Sequence, residues 1–401
     1  MPTPPPTFPP PTSPPPLPSP PTAGWTLQTR PESFTLSRSG TGAGNEVLSF
    51  DAEGRLLTWF SPLFAPGTLY KRALDSRLLG RRQQGGQRRR WQAEDAEQER
   101  VFAALLGAAA QAQADLASPL LDRVLAWTPA RLRAEQERFA AAYAPVSILP
   151  PDQYFAVVVQ ATRGCSWNRC TFCTFYRDRP FSVQTPDDFA AHLRAVADLL
   201  GEGARLRRSL FLADGNALML SNGKLLPLIA QARAAFPGRE VHGFLDVFTG
   251  SRKSVADWQE LREAGVRRVY LGLETGHDPL LAWLDKPGSA AQATALIHDL
   301  KAAGLNVAPI FMIGVGGQTY AAAHLADTRR LLERLPLGAG DLVYLSPFVP
   351  HGDYAARARD SGVLPLTPAE REAQAEALRG FLRAHKPGVQ AARYDIEEFM
   401  Y

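Results

Sequence analysis

Cysteine is nearly absent: the 401-residue chain has three, an odd number too small for a disulfide framework. Histidine is scarce as well, at seven. No apolar run approaches the roughly 20 residues that cross a bilayer as a helix. The longest, Val101 to Ala110, stops at Gln111. The N-terminus lacks a charged region followed by an apolar stretch, so no secretory leader is expected. Charge of one sign is also lacking: 44 Lys and Arg face 40 Asp and Glu, a formal net charge of +4. An excess that small permits nucleic-acid binding without arguing for it. No repeat of 20–50 residues is seen, which excludes a solenoid. What remains is a soluble, cytoplasmic protein with reduced thiols. Its hydrophobic content of 45% is ordinary for a globular chain.

The few cysteines stand together. Cys165, Cys170 and Cys173 lie in the run Thr162-Arg-Gly-Cys-Ser-Trp-Asn-Arg-Cys-Thr-Phe-Cys173. A structural zinc site closes with four ligands, and ferredoxin clusters use four thiolates. Three clustered thiols suit a metal centre with one position left open, where a cofactor or substrate binds. The alternative is a zinc site completed by a histidine. No histidine lies inside the loop, and the nearest are His192 and His242.

Residues 1–23 are mostly Pro, Ser and Thr and read as a disordered, polyproline-like tail. Residues 24–146 form an accessory region. Within it, Glu46 to Phe60 carries apolar runs around Asp51-Ala-Glu-Gly54, a hairpin pattern. Arg81, Arg82, Arg88, Arg89 and Arg90 follow, as either a phosphate-binding or RNA-binding patch or a solvated loop. From Glu94 to about Tyr143 the spacing is helical, with Val101, Leu105 and Ala108 recurring on one face. From residue 147 to 350 apolar strands alternate with helices six times, which predicts a parallel sheet covered by helices. The fold class expected is α/β: a partial (β/α)6 TIM-like barrel with an N-terminal α+β accessory region. Residues 351–401 form a C-terminal extension.

The polar residues collect after the strands, where a βα barrel builds its active site. The first strand, Tyr154–Ala161, runs into the cysteine loop. The second ends in Asp214-Gly215-Asn216, and the third precedes Arg252-Lys253. The fourth ends in Glu274-Thr-Gly-His277, the fifth in Gly314-Val-Gly-Gly317, and the sixth near His351 and Asp353. For Asp214 and Glu274 a helix cap is the competing role, and for Phe172 plain packing. Gly314 to Gly317 lacks the lysine and spacing of a P-loop and reads as a turn.

Cys165-x4-Cys170-x2-Cys173 after a first strand, with Phe172 beside the last cysteine, resembles the cluster loop of the radical S-adenosylmethionine (radical SAM) superfamily. The prevalent spacing there has three residues, not four, between the first two cysteines. Gly272-Leu-Glu-Thr-Gly276 is similar to the Gly-x-Glu-Ser-Gly stretch of the elongator, methylthiotransferase and porphyrinogen-oxidase branch. Ile310-Phe-Met-Ile-Gly314 and Tyr344-Leu-Ser-Pro347 also fit it. The resemblance covers about residues 150–350. It implies that Cys165, Cys170 and Cys173 hold three irons of a [4Fe–4S] cluster. The fourth iron takes S-adenosylmethionine, which is cleaved reductively to a 5′-deoxyadenosyl radical that abstracts hydrogen from substrate. The same resemblance sets Phe172, Ile313 and Gly314 near the adenine and Asp214, Gly215 and Asn216 near the methionine amine. It puts Glu274 at the ribose or carboxylate, and Arg252 or Lys253 as a cation for the carboxylate. A small-molecule substrate and a flavodoxin- or ferredoxin-like electron donor are the expected partners, with no membrane. The competing functions are radical modification of RNA or a peptide, and a non-catalytic iron–sulfur or zinc protein that binds or senses.

Overall fold

The structure, a computed structural model, describes residues 24–40, 44–62, 67–84, 87–399 and 401. The expected tail at residues 1–23 lies outside the described residues. The chain folds as two compact units that divide between Leu132 and Arg133.

In the first unit, seven strands form an antiparallel meander, each pairing with the next: β1 (Thr26–Thr29), β2 (Ser33–Arg38), β3 (Glu46–Asp51), β4 (Leu56–Ser61), β5 (Thr68–Arg72), β6 (Leu78–Gln84) and β7 (Gln87–Gln92). Helices α1 (Asp95–Leu116) and α2 (Pro119–Leu125) follow. Alternate residues of β2 are buried, so the sheet turns one face inward. That face supplies Leu36, Leu48, Phe50 and Trp59, and the helices answer with Val101, Leu105 and Leu121. The helical spacing of those residues is what the sequence pattern predicts. The arginine-rich segment is strand, not loop. Arg81 stands opposite Arg90, and Arg82 opposite Arg89. Arginine and glutamine carry no apolar alternation, so nothing in this segment's pattern marks it as strand.

The second unit takes in most of α3 (Pro129–Ala142) and then β8 (Ala156–Gln160), the short antiparallel pair β9 (Thr162–Arg163) and β10 (Ser182–Val183), and α4 (Pro186–Leu200). Then come β11 (Ser209–Ala213), α5 (Asn222–Ala235), β12 (Glu240–Leu245), α6 (Val247–Gly250), α7 (Val255–Glu263) and β13 (Val266–Glu274). The rest is α8 (Asp278–Trp283), α9 (Ala290–Ala302), β14 (Asn306–Ile313), α10 (Gly317–Arg334), β15 (Leu342–Pro347), α11 (Gly352–Asp360), α12 (Pro368–His385) and β16 (Gln390–Arg393). The sheet order is β8-β11-β12-β13-β14-β15-β16, and every pair is parallel. This is the expected partial barrel with a seventh strand, β16, added inside the C-terminal extension. Gln390-Ala-Ala-Arg393 is short and has no apolar run, so its strand character comes from pairing with β15. No helix among the described residues is long and apolar enough to cross a membrane.

β8 is an edge strand, and buried edge groups need partners. Side chains supply them. The Val158 amide donates to Tyr401 Oη (3.0 Å), Tyr143 Oη donates to the Val158 carbonyl (3.0 Å), and the Gln160 amide donates to His192 Nε2 (2.9 Å). His192 Nδ1 donates to the Ala142 carbonyl at 2.8 Å, so the ring is held neutral. Burial pushes the His192 pKa down to about 4, and burial does the same to His242 and His324. An unfolded imidazole titrates near 6.5, so between these values the unfolded chain binds protons that the folded one refuses. Stability is therefore full above about pH 6.5 and falls as pH drops towards 4, by roughly 2 kcal/mol per ring at about pH 5. Urea unfolding at about pH 7.5 and about pH 5 measures this; equal stabilities would refute it.

Candidate active site

The C-terminal ends of β11 to β15, the cysteine loop and the segment after β16 enclose one cavity, whose empty space with its open mouth is about 1130 Å³. All three cysteines line it, and each is free and half-buried. The loop that carries them is pinned to the end of α8. Trp167 Nε1 donates to the Asp285 carbonyl (2.8 Å), and Thr171 donates its amide and hydroxyl to the Leu284 carbonyl (3.0 and 3.2 Å). Arg177 donates to the carbonyls of Cys173 (3.2 Å) and Cys170 (3.3 Å). Gly215 lets the end of β11 touch this loop. A Cβ there would lie 2.8 Å from the Tyr176 ring and 3.3 Å from Cys165 Cβ.

Burial pushes the Cys170 thiol up to about 12 and the Cys173 thiol to about 11, with the neighbouring thiols and Glu274 adding to the effect. Among the described residues no three His, Cys, Asp or Glu side chains converge as one metal ion requires. A cluster asks for something else: each thiolate meets its own iron, and the three sulfurs stay apart. A trio of thiols around an open cavity fits that demand. His192 and His242, the candidates for completing a zinc site, do not line the cavity.

Glu274 reaches the cavity as expected. It sits at a register shift between β13 and β14 and has φ of 63°. Bulges of this kind re-aim a side chain at a strand end. Gly272 makes the room, because a Cβ there would stand 2.5 Å from Glu274 Oε1. Glu274 pairs with Lys286, whose Nζ lies 3.3 Å from Oε1. Burial raises the Glu274 pKa against the pull of Lys286. Burial also opposes the Lys286 charge, but Glu274 and Cys170 outweigh it and hold the ammonium charged. Sequence reasoning missed Lys286. Its signal was a lone lysine after α8, twelve residues past Glu274, on the turn that anchors the cysteine loop.

Phe172, Gly215 and Asn216 also line the cavity. Phe172 packs beside Met312, Phe348 and Tyr354. Asn216 donates to Asp246 and to Thr249 Oγ1 (2.9 Å), fixing the end of β12. Four expected residues are placed elsewhere. Asp214 turns away from the cavity, and its carboxylate accepts from the Gly164 amide (3.1 Å) and from Arg179 (3.1 Å). It braces the cysteine loop from behind. Ile313 is off the cavity because strand residues alternate faces and Ile310 and Met312 point in; Gly314 lies just beyond β14, where its amide donates to Gln374 Oε1 (2.8 Å). Arg252 is exposed and lies over the Phe248 ring at 5.7 Å, outside the lining. His351 lines the cavity, whereas His277 is paired with Asp327 at 2.7 Å away from it.

Residues 159–331 match the family model described as the Radical SAM superfamily. The 4'-phospho-dehydrooxetanocin synthase of Priestia megaterium is 24% identical over 211 residues, 47% of this chain and 28% of that protein. The chain thus aligns to little more than a quarter of that curated relative. Among solved structures, coproporphyrinogen III oxidase of Escherichia coli covers 63% of this chain and 56% of its own, at 15% identity and a TM-score of 0.44. Elp3 of the archaeon Methanocaldococcus infernus gives 59% and 55%, at 14% identity and a TM-score of 0.41. The match to the Radical SAM superfamily model thus spans less than half of the chain. The cofactors of this family are a [4Fe–4S] cluster and S-adenosylmethionine.

Proposed function

We propose that this protein is a radical SAM enzyme acting on a small molecule. One observation carries the reading: three free thiols and the Glu274–Lys286 pair share one cavity at the C-terminal ends of a parallel barrel. Cys165, Cys170 and Cys173 hold a [4Fe–4S] cluster. Lys286 offers an ammonium to the carboxylate of S-adenosylmethionine, and Glu274 offers acceptor oxygens to its ribose hydroxyls or amine. Phe172 packs against the adenine, and Gly215 with Asn216 shapes the wall beside it. When bound, the cluster and S-adenosylmethionine supply a 5′-deoxyadenosyl radical that takes hydrogen from substrate. The protein's own part is to aim that chemistry and to exclude water.

A reductant must reach the cluster, and a flavodoxin- or ferredoxin-like protein fits that role. Free thiols of this kind suit the cytoplasm. RNA is the second reading, carried by the facing arginines of β6 and β7. The cavity favours the first: Lys286 is the one lysine or arginine among its described lining residues, and it is paired. The test is anaerobic reconstitution with iron and sulfide, then dithionite and S-adenosylmethionine, with 5′-deoxyadenosine measured. Formation of 5′-deoxyadenosine is expected. A protein that takes up only zinc, or holds a cluster without cleaving the cofactor, refutes the proposal.

A further inference from the structure

Past Glu274 the sheet no longer holds the chain. The ladder between β13 and β14 slips between Gly272 and Glu274 and ends there. Glu274 has φ of 63°, and the Thr275 amide donates to the Leu273 carbonyl at 2.7 Å, so a γ-turn closes around it. With positive φ such a turn is strained for a residue with a side chain, and it persists only where its surroundings dictate it. Those surroundings are one face of α10. The three residues after Glu274 each bond to it in turn. Thr275 Oγ1 shares a hydrogen bond with His324 Nδ1 (2.7 Å), the Gly276 amide donates to Thr328 Oγ1 (3.0 Å), and His277 Nδ1 pairs with Asp327 (2.7 Å). His324 and Thr328 stand four residues apart on α10 and so share a face. The fit is close: a Cβ on Gly276 would lie 2.5 Å from the Asp327 carbonyl oxygen. The partners are unequal. Thr275, His324 and Thr328 are fully buried, so a group left unpaired there is costly. The His277–Asp327 pair is partly open to solvent, and Asp327 also engages Arg330, so little depends on it.

We infer that His324 and Thr328 are positioning residues: from α10 they clamp Thr275 and Gly276, fix the turn at Glu274 and so aim its carboxylate into the cavity beside Lys286. The inference rests on the proposed radical SAM reading, in which Glu274 meets S-adenosylmethionine. Neither His324 nor Thr328 lines the cavity, so both act on the cofactor through Glu274.

Calorimetric titration of the reconstituted proteins with S-adenosylmethionine tests this. His324→Leu should weaken cofactor binding about three- to tenfold, the worth of one hydrogen bond, with iron content at the parent level. His324→Asn puts an amide where Nδ1 stood. It should restore most of the affinity even though its smaller side chain leaves a void that lowers the melting temperature. A merely structural histidine would lose affinity and stability together. In a Glu274→Gln background, His324→Leu should cost no further affinity, because the carboxylate it aims is gone. Thr328→Val removes the acceptor of the Gly276 amide at nearly constant volume. It should repeat the loss, and it carries the test if His324→Leu does not fold. Unchanged affinity in a folded variant, a loss that His324→Asn does not reverse, or an equal loss without the Glu274 carboxylate would each overturn the inference. Deuterium exchange in the apoprotein separates this inference from the radical reading. Thr275 to His277 should exchange faster in His324→Leu and Thr328→Val than in the parent; equal exchange overturns the clamp. A parent that forms no 5′-deoxyadenosine while exchange behaves as expected overturns the radical reading, and with it the cofactor role of the clamp but not the clamp.

Discussion

Cys170→Ala should emerge from anaerobic reconstitution colourless, with iron near background and no 5′-deoxyadenosine formed. The expected loss is complete because the loop holds no spare ligand. Cys165 and Cys173 are the only other thiols in the chain. Neither Asp214, bound to Gly164 and Arg179, nor any histidine of the loop can substitute. The fold should survive. What pins the loop is Trp167 to Asp285 and Thr171 to Leu284, with Arg177 on the carbonyls of Cys170 and Cys173, and none of these bonds uses the sulfur of Cys170. Burial that raises the thiol to about 12 also means that no thiolate charge is lost from the apoprotein at neutral pH. The apo forms of variant and parent should thus unfold at nearly the same denaturant concentration. A variant that keeps a full cluster sinks the ligand assignment. One that loses both cluster and fold would show that the thiol is structural.

Much of this architecture is written in residue order. The apolar runs that became β8, β11, β12, β13, β14 and β15 are each followed by a helical pattern, and parallel pairing follows from that alternation. Glu274 and the cysteines were legible because special residue types stand at strand ends. The errors have local causes. The resemblance sets Ile313 near the adenine, yet a strand shows only every second residue to one face, and Met312 holds the inward position. Asp214 ends its strand too, but a strand end is a place with two sides, and Arg179 claims its carboxylate from the outer one. Lys286 was invisible because its role depends on the turn after α8 returning to β13, a long-range fact. The same holds for Tyr394. The pairing of β16 with β15 brings this residue of the C-terminal extension to the cavity. In the first unit the arginine hairpin was hidden because its partners, not its composition, make it a strand.

Lys286→Met separates the two jobs assigned to this lysine. Removing the ammonium leaves Glu274 buried beside thiols without its partner, and breaking a buried pair in this way costs about 3–5 kcal/mol. The carboxyl would lessen that cost by taking up a proton, the direction in which burial already pushes it. The single variant should therefore be clearly destabilised relative to the parent near neutral pH, and the gap between the two should narrow as the solution is acidified. The double variant Lys286→Met with Glu274→Gln removes both charges and should regain most of the loss, since an apolar or neutral replacement of a buried ion pair is often nearly neutral. Cofactor binding should behave differently. If Lys286 meets the carboxylate of S-adenosylmethionine, its charge-assisted bond is worth about 1.5–3 kcal/mol, a tenfold to hundredfold change in affinity. That loss should appear in the single variant and persist in the stable double variant, while the iron content of both stays at the parent level. Calorimetric titration of the reconstituted proteins with S-adenosylmethionine reads it directly. Should affinity return along with stability, Lys286 would be a structural partner of Glu274 and the carboxylate would be held elsewhere in the cavity.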